Sequence, residues 1–176
     1  MKTHSLVTML VLACCLLAIS SPCYAADSYK DATVDEVGIH IVTAEGRSVV
    51  LKKDPGQVAF DMVRISPDSR SVGWLALYPN GGTSYPIPRK LIIYSNARAR
   101  IFTGTGLSIF KWQFRESGRQ IAFRQETVHG GLNIHYELRD VTSERLLAKY
   151  DPPYDRDNRL LPARNVPSWV VELDTK

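Results

Sequence analysis

Two glutamates and two histidines lie close together in the stretch QETVHGGLNIHYEL, at Glu126, His129, His135 and Glu137. Imidazole nitrogens and carboxylate oxygens are ligands that Zn²⁺ accepts, and an imidazole or a carboxylate can also serve as a general base. Their spacing matches no established metal-binding signature, and no Gly-x-Ser-x-Gly nucleophile motif occurs in the chain. The four residues support one hypothesis, a metal-dependent or acid/base hydrolase. The alternative is a hairpin that carries polar side chains.

Alternation along the chain favours the hairpin. The even-numbered residues from 132 to 138 are apolar and share one face of a strand, whereas His135 and Glu137 share the other face. His129-Gly130-Gly131 reads as the connection, with glycines that tolerate positive φ. In the strand upstream, Glu126 is predicted to point outward. We therefore expect His135 and Glu137 to be surface residues, and we predict no catalytic residue and no cofactor.

The rest of the chain reads as strands joined by turns. Residues 38–53 contain two runs of β-branched residues on either side of Glu45-Gly46, which predicts a hairpin. Residues 62–78 read as strand, turn and strand, with Pro67 at the first central position of a type I turn. No apolar stripe with the helical period continues for more than two turns. The chain is therefore predicted to be all-β.

The strands repeat along the chain. Ile65–Trp74 aligns with Phe114–Phe123 at an offset of 49 residues, and residues 91–102 align with residues 136–147 at an offset of 45. The first copy therefore has four extra residues, around Thr83–Lys90. Self-similarity at a period of about 50 residues is typical of blades or arrays. Two tandem four-stranded antiparallel meanders are predicted, at 56–105 and 106–150.

The first turn of each copy carries a resemblance. Ser66-Pro67-Asp68-Ser69-Arg70, followed by Val72-Gly73-Trp74, resembles the WD-like repeat of TolB-type β-propellers. The second copy keeps Gly118-Arg119 but has Arg115-Glu116-Ser117 in place of Ser-Pro-Asp. Residues 56–150 as a whole resemble small secreted bacterial proteins of uncharacterised function. The resemblance implies blade-like sheets and implies no activity.

The number of repeats limits the architecture. A propeller usually closes with at least four blades, so two full units cannot close within one chain. The sheets are instead predicted to pack face to face, as a partial propeller or a sandwich, with a C-terminal strand at 168–175 that returns toward the N-terminal hairpin. The predicted divisions are a signal peptide at 1–25, a flexible leader at 26–37 and one β domain at 38–176, with its hairpin at 38–55 and its strap and C-terminal strand at 151–176.

The N-terminal segment has the order of a secretory signal peptide. Lys2 precedes an apolar run, Leu6–Ile19, and small residues lead to Ala25, after which cleavage is predicted. A run of about 14 residues is too short to cross a bilayer, which takes roughly 20. A lipoprotein signal that uses Cys14 is the alternative. The mature chain is predicted to be secreted or periplasmic, without a transmembrane segment.

Composition excludes several kinds of site from the mature chain. Cys14, Cys15 and Cys23 all lie in the predicted signal peptide, so no disulfide, thiolate metal site or cysteine nucleophile is expected after cleavage. The net charge is +4 for the whole chain, and Lys2 contributes one of these charges. Because this positive charge is mild, no nucleic-acid partner is expected.

Aromatic, proline and basic residues cluster in the extra segment of the first copy. Tyr85, Arg89 and Lys90 lie there beside prolines that stiffen the loop, and exposed loops with aromatic anchors are frequent contact surfaces. The repeat places this loop at the same end as the loop that carries Glu126 and His129. We therefore predict a non-enzymatic interaction module that binds another envelope protein through these residues. A hydrolase and a ring-forming oligomeric scaffold are the alternatives.

Overall fold

The fold is described by a computed structural model for residues 27–129, 133–157, 159–162 and 165–175. Over these residues the chain forms three antiparallel sheets and a C-terminal α-helix, which confirms the all-β prediction. The predicted signal peptide and its cleavage site after Ala25 lie outside the described residues. Within the described ranges, no helix is long and apolar enough to cross a membrane.

Each sheet is built from strands that are consecutive in the chain. The N-terminal sheet has the order β1 (Tyr29–Val34), β2 (Gly38–Thr43) and β3 (Ser48–Lys52). The repeat-1 sheet has the order β4 (Ala59–Ile65), β5 (Val72–Tyr78), β6 (Ile87–Ser95) and β7 (Arg98–Thr103). The repeat-2 sheet contains β8 (Ser108–Arg115), β9 (Gln120–Glu126), β10 (His135–Asp140) and β11 (Leu146–Tyr150), again side by side in chain order. The helix, α1, spans Ser168–Thr175.

The two repeat sheets are equivalent strand by strand. Val72 pairs with Tyr94 in the repeat-1 sheet, and the aligned residues Ile121 and Arg139 pair in the repeat-2 sheet. The extra residues of the first copy lengthen β6, which has nine residues against six in β10. The tandem repeat of four-stranded meanders is therefore confirmed.

The first turns of the two copies occupy matching positions and touch each other. The Ser66 hydroxyl donates to Asp68 Oδ1 at 2.6 Å and accepts the Ser71 N–H at 2.9 Å. Gly118 in the other copy packs against this turn, and a Cβ added to it would lie 2.8 Å from the Ser66 Cβ. Gly118 also has a φ of +100°, which other residues rarely adopt. A glycine at this position is required by both the close approach and the backbone conformation.

The three sheets stack face to face, and α1 covers the last one. One apolar cluster joins the N-terminal sheet to the repeat-1 sheet, a second joins the two repeat sheets, and a third joins the repeat-2 sheet to α1. Trp74 belongs to the first cluster, Trp112 to the second and Trp169 to the third. Both faces of the repeat-2 sheet are therefore buried, and α1 occupies the place that a further sheet would take.

The predicted C-terminal strand at 168–175 is wrong, because this segment forms α1. Trp169, Val170 and Leu173 lie on one helical face and are buried against the repeat-2 sheet. The Val170 N–H donates to the Pro167 carbonyl at 3.0 Å in the first turn. A run of Trp-Val-Val favours a strand by local propensity, but the packing of an apolar helical face against the sheet overrides that preference.

The flexible leader predicted at 26–37 is also wrong, because Tyr29–Val34 forms β1. Tyr29 is buried, and its N–H donates to the Ser69 carbonyl at 2.6 Å. Burial raises the pKa of the Tyr29 hydroxyl to about 12. The strand is mostly exposed and polar, so it has little apolar alternation. Its pairing with β2 rather than its own composition holds it in place.

Candidate functional site

The loops that follow the second strand of each repeat meet at one end of the stack. Residues 79–86 follow β5, and residues 127–134 follow β9, with 130–132 outside the described residues. The Tyr85 hydroxyl makes a long hydrogen bond of 3.5 Å to the Val128 carbonyl. The two loops therefore lie at the same end of neighbouring sheets, as the repeat alignment predicted.

Three of the predicted binding residues are exposed on or beside these loops. Tyr85 retains 51% of its accessible surface, and both Arg89 and His129 are exposed. Tyr85 also lines a shallow cleft of about 240 Å³, together with Val58 and Pro79. We refer to Tyr85, Arg89 and His129 as the loop surface.

Lys90 is held by its neighbours. Its Nζ lies 2.7 Å from Asp54 Oδ2, and the Tyr78 hydroxyl donates to the same oxygen at 3.0 Å. The hydrogen bond from Lys90 lowers the pKa of the Asp54 carboxyl, and the same bond raises the pKa of Lys90. Lys90 therefore ties β6 to the segment before β4, which restricts its freedom to contact a partner.

Glu126 lies on the α1 side of the repeat-2 sheet. Arg124 Nη2 donates to Glu126 Oε2 at 2.6 Å, and Arg124 Nη1 lies 3.8 Å from Asp174 Oδ1 in α1. Residues at alternate positions of a strand share a face, so Gln125 between them points to the opposite side. Glu126 therefore pairs with Arg124, which lies close to Asp174 of α1, and is not part of the loop surface.

The predicted surface positions of Glu137 and His135 are wrong. The exposed fraction of the side chain is 2% for Glu137 and 15% for His135. Glu137 pairs directly with Phe123, and directly paired residues of neighbouring strands point to the same face. Both side chains therefore face the repeat-1 sheet, while Tyr136 and Leu138 face α1. The prediction assumed a sheet with one buried face, whereas this sheet has two.

Glu137 is the centre of a buried polar network. Its Oε1 lies 3.1 Å from His135 Nε2 and accepts a hydrogen bond of 3.1 Å from Gln125 Nε2. Its Oε2 accepts a hydrogen bond of 2.5 Å from Arg139 Nε. The other ring nitrogen of His135, Nδ1, contacts Asp151 Oδ1. Both oxygens of the buried carboxylate therefore have partners, which offsets the cost of removing its charge from water.

Backbone groups complete the network. The Thr105 N–H donates to Gln125 Oε1 at 2.8 Å, and Arg139 Nη1 donates to the Glu144 carbonyl at 3.1 Å. A cleft of about 300 Å³ lies beside the network, bordered by Thr105, His135 and Asp151. The network thereby fixes the connection between the two repeats onto the repeat-2 sheet.

The four residues of the hydrolase hypothesis do not converge. His135 and Glu137 are joined in the network, Glu126 lies on the opposite face of the sheet, and His129 is exposed in the loop. In the part of the chain that the structure describes, no group of three or more His, Cys, Asp or Glu side chains could hold a metal ion. Both nitrogens of His135 face carboxylates, which leaves neither free to act as a base in this arrangement.

Three partners of the predicted residues were not predicted from the sequence: Gln125, Asp151 and Asp54. For Glu137 the repeat alignment did contain a signal. At the offset of 45, Glu137 aligns with Ile92, which is buried in the middle of β6. A charged residue at an aligned core position predicts a buried charge that needs hydrogen-bonded partners.

No known protein family matches the chain, and no curated protein sequence is significantly similar to it. The resemblance of the first turn to TolB-type repeats therefore remains a prediction from its residues.

Proposed function

We propose that this protein is a non-enzymatic binding module of the cell envelope that contacts another protein through the loop surface. The contact between Tyr85 and Val128 supports this proposal most strongly, because it builds one surface from the loops of both repeats. Exposed loops held by a rigid scaffold are the usual place for binding residues. Here the scaffold is a pair of repeat sheets joined by a buried apolar cluster, which holds the loop ends in a fixed relation.

The residue types on the loop surface suit recognition of a protein. A half-exposed tyrosine beside a cleft is a typical anchor, and arginine is also enriched at the centres of interfaces. Arg89 can supply hydrogen bonds and positive charge, and the His129 ring can supply a further hydrogen bond. The complementary partner surface would place an apolar side chain in the cleft next to Tyr85 and carboxylates opposite Arg89.

The polar network supports binding rather than hydrolysis. A general base must offer a free nitrogen or oxygen within reach of a substrate proton. Glu137 is buried and its two oxygens are occupied, while His135 is held between Glu137 and Asp151. The polar atoms of Glu137 and His135 therefore contact neighbouring side chains and are not directed at the solvent.

Capture from a membrane and envelope extract tests the loop surface. The purified protein would be compared with the double variant Tyr85→Ala/Arg89→Ala and with a matched control, Arg98→Ala/Ile101→Ala, which changes exposed residues on the edge strand β7. A true partner is retained by the wild type and the control and is lost from the loop variant. With the purified partner, Kd should rise by about tenfold or more, as expected for one hot-spot residue.

Equal retention by the loop variant and the wild type would contradict the proposal. A protein lost from both variants would place the contact elsewhere on the molecule. Unfolding midpoints equal to that of the wild type ensure that a loss of binding does not reflect a loss of folding.

A further inference from the structure

The predicted strap begins at residue 151, where the chain leaves the end of β11 beside His135. From here on, the strap means only its first part, residues 151–157. Tyr136 pairs with Tyr150, so His135 and Asp151 are the next neighbours across the two strands. His135 Nδ1 contacts Asp151 Oδ1, and His135 Nε2 lies 3.1 Å from Glu137 Oε1. The side chain of Asp151 is 56% exposed, against 2% for Glu137. The imidazole therefore bridges a carboxylate fixed in the sheet and one on the strap.

Both contacts of the His135 ring with ionised carboxylates can be hydrogen bonds only if each ring nitrogen carries a proton. Ionised carboxylates only accept hydrogen bonds, and a neutral imidazole donates through one nitrogen. A neutral His135 leaves a nitrogen lone pair against either Glu137 or Asp151, whereas the imidazolium donates to both. Gln125 and Arg139 hold Glu137 in place. The contact with the exposed Asp151 is therefore the one that is lost.

We propose that His135 is a proton-operated latch, which fastens the strap to the repeat-2 sheet when protonated and releases Asp151 when the proton leaves. The latched state holds one proton more than the released state. The ratio of released to latched molecules therefore rises with pH, by at most about tenfold per pH unit. Histidine is the side chain that ordinarily changes charge between about pH 5 and pH 8, so this is the range to test. This inference does not depend on the proposed function.

The cations beside the two carboxylates do not take the oxygens that His135 contacts. Arg139 Nε contacts Glu137 at Oε2, and Lys149 Nζ lies 3.8 Å from Asp151 Oδ2. These two cations therefore contact Oε2 and Oδ2, whereas His135 contacts Oε1 and Oδ1. Three neutral groups of described residues also contact the network or line the cleft beside the ring: the Gln125 amide from β9, the Thr105 backbone N–H from the connection between the repeats, and the Tyr154 hydroxyl from the strap.

Release of the strap affects two further features. The Tyr154 hydroxyl accepts the Ile134 N–H at 3.0 Å, which fastens the strap to the end of the 127–134 loop. Pro152 borders an apolar groove of about 410 Å³, together with Tyr136 and with Val170 of α1. A released strap therefore frees the base of a loop that carries part of the loop surface, and it opens one side of the groove.

Amide hydrogen exchange of the purified protein, measured by NMR between pH 5.5 and pH 8, tests the latch. The Ile134 amide is the reporter, because its hydrogen bond depends on the position of Tyr154. After correction for the pH dependence of intrinsic exchange, its protection factor is expected to fall by about tenfold over this range. The matched control His129→Gln changes the exposed histidine of the same loop and should keep this pH dependence.

Two variants decide the outcome. His135→Gln removes the titrating ring and should give a protection factor that does not change with pH. Asp151→Asn should also give a flat profile, because an amide can donate to or accept from the ring in either protonation state. Asp151 is exposed, so this variant keeps the test decisive even if His135→Gln fails to fold. Either of two results would overturn the latch. One is a wild-type protection factor that does not change with pH, and the other is the same pH dependence in Asp151→Asn as in the wild type.

Discussion

Trp112 of the repeat-2 sheet lies directly over Gly73 of the repeat-1 sheet. A Cβ added to Gly73 would fall 2.4 Å from Trp112 Cη2 and 2.6 Å from the Ile93 Cδ1. Trp112 is fully buried, and the guanidinium of Arg64 lies 5.7 Å from the centre of its ring. Face-to-face sheets interdigitate at close-packed density, so the large indole needs a position without a side chain opposite it. The glycine is thus required by the neighbouring sheet and not by its own backbone conformation.

Gly73→Ala is therefore expected to lower the free energy of unfolding by about 2 kcal/mol, the usual cost of forcing a methyl group into a packed core. Urea unfolding followed by tryptophan fluorescence measures it. Gly81→Ala is the control, because nothing lies within 4 Å of its added Cβ, and a change of less than about 0.5 kcal/mol is expected there. Equal stability of Gly73→Ala and the wild type would show that the sheets pack differently.

Glu137→Gln tests whether the buried network depends on an ionised carboxylate. The change keeps the shape of the side chain but leaves the Arg139 guanidinium opposite a neutral amide. Breaking a buried, hydrogen-bonded charge pair usually costs about 3 kcal/mol or more, and a loss of that size is expected at pH 7. Glu45→Gln removes a carboxylate that is 59% exposed and lies 3.9 Å from Arg47, so it should change stability little. Equal effects of the two changes would contradict the buried-pair assignment.

The repeat and the apolar alternation within it predicted most of the fold, because both can be read from the spacing of residues along the chain. Val72 and Ile121 align in the sequence and occupy the same place in their sheets. Which faces are covered is not a local property. Two apolar residues of β10, Tyr136 and Leu138, predicted one buried face correctly. The burial of Glu137 on the other face depends on stacking against the repeat-1 sheet, which alternation within β10 does not encode.

In the candidate site, too, some features follow from patterns in the sequence and others do not. The meeting of the Tyr85 and His129 loops follows from the repeat alignment, and the shared face of Arg124 and Glu126 follows from alternation along one strand. Lys90, by contrast, is bound to Asp54, 36 residues earlier in the chain. No local pattern connects these two residues, so the prediction of Lys90 as a binding residue could not take its partner into account.

The ion pair between Lys90 and Asp54 has a pH dependence whose sign the structure determines. The hydrogen bond from Lys90 lowers the pKa of Asp54 in the folded protein, so the ionised form stabilises the fold. That contribution is present above about pH 4, the unfolded value for an aspartate, and is lost as pH falls through the folded pKa. For Lys90, whose folded pKa is raised, the contribution is lost only as pH rises through that pKa, above about 10.4.

Asp54→Asn is therefore expected to lower the free energy of unfolding by roughly 1 kcal/mol at pH 7, a small value because about a third of each side chain is exposed and solvent screens the pair. The difference from the wild type should shrink as pH falls below about 4, because the wild-type carboxyl then becomes protonated as well. Urea unfolding at a series of pH values from about 2.5 to 7 measures this convergence. Glu36→Gln, an exposed carboxylate before β2, is the control and should change stability little at pH 7. If the difference between Asp54→Asn and the wild type stays constant down to the lowest pH, then the amide disturbs packing and the ion pair does not stabilise the fold.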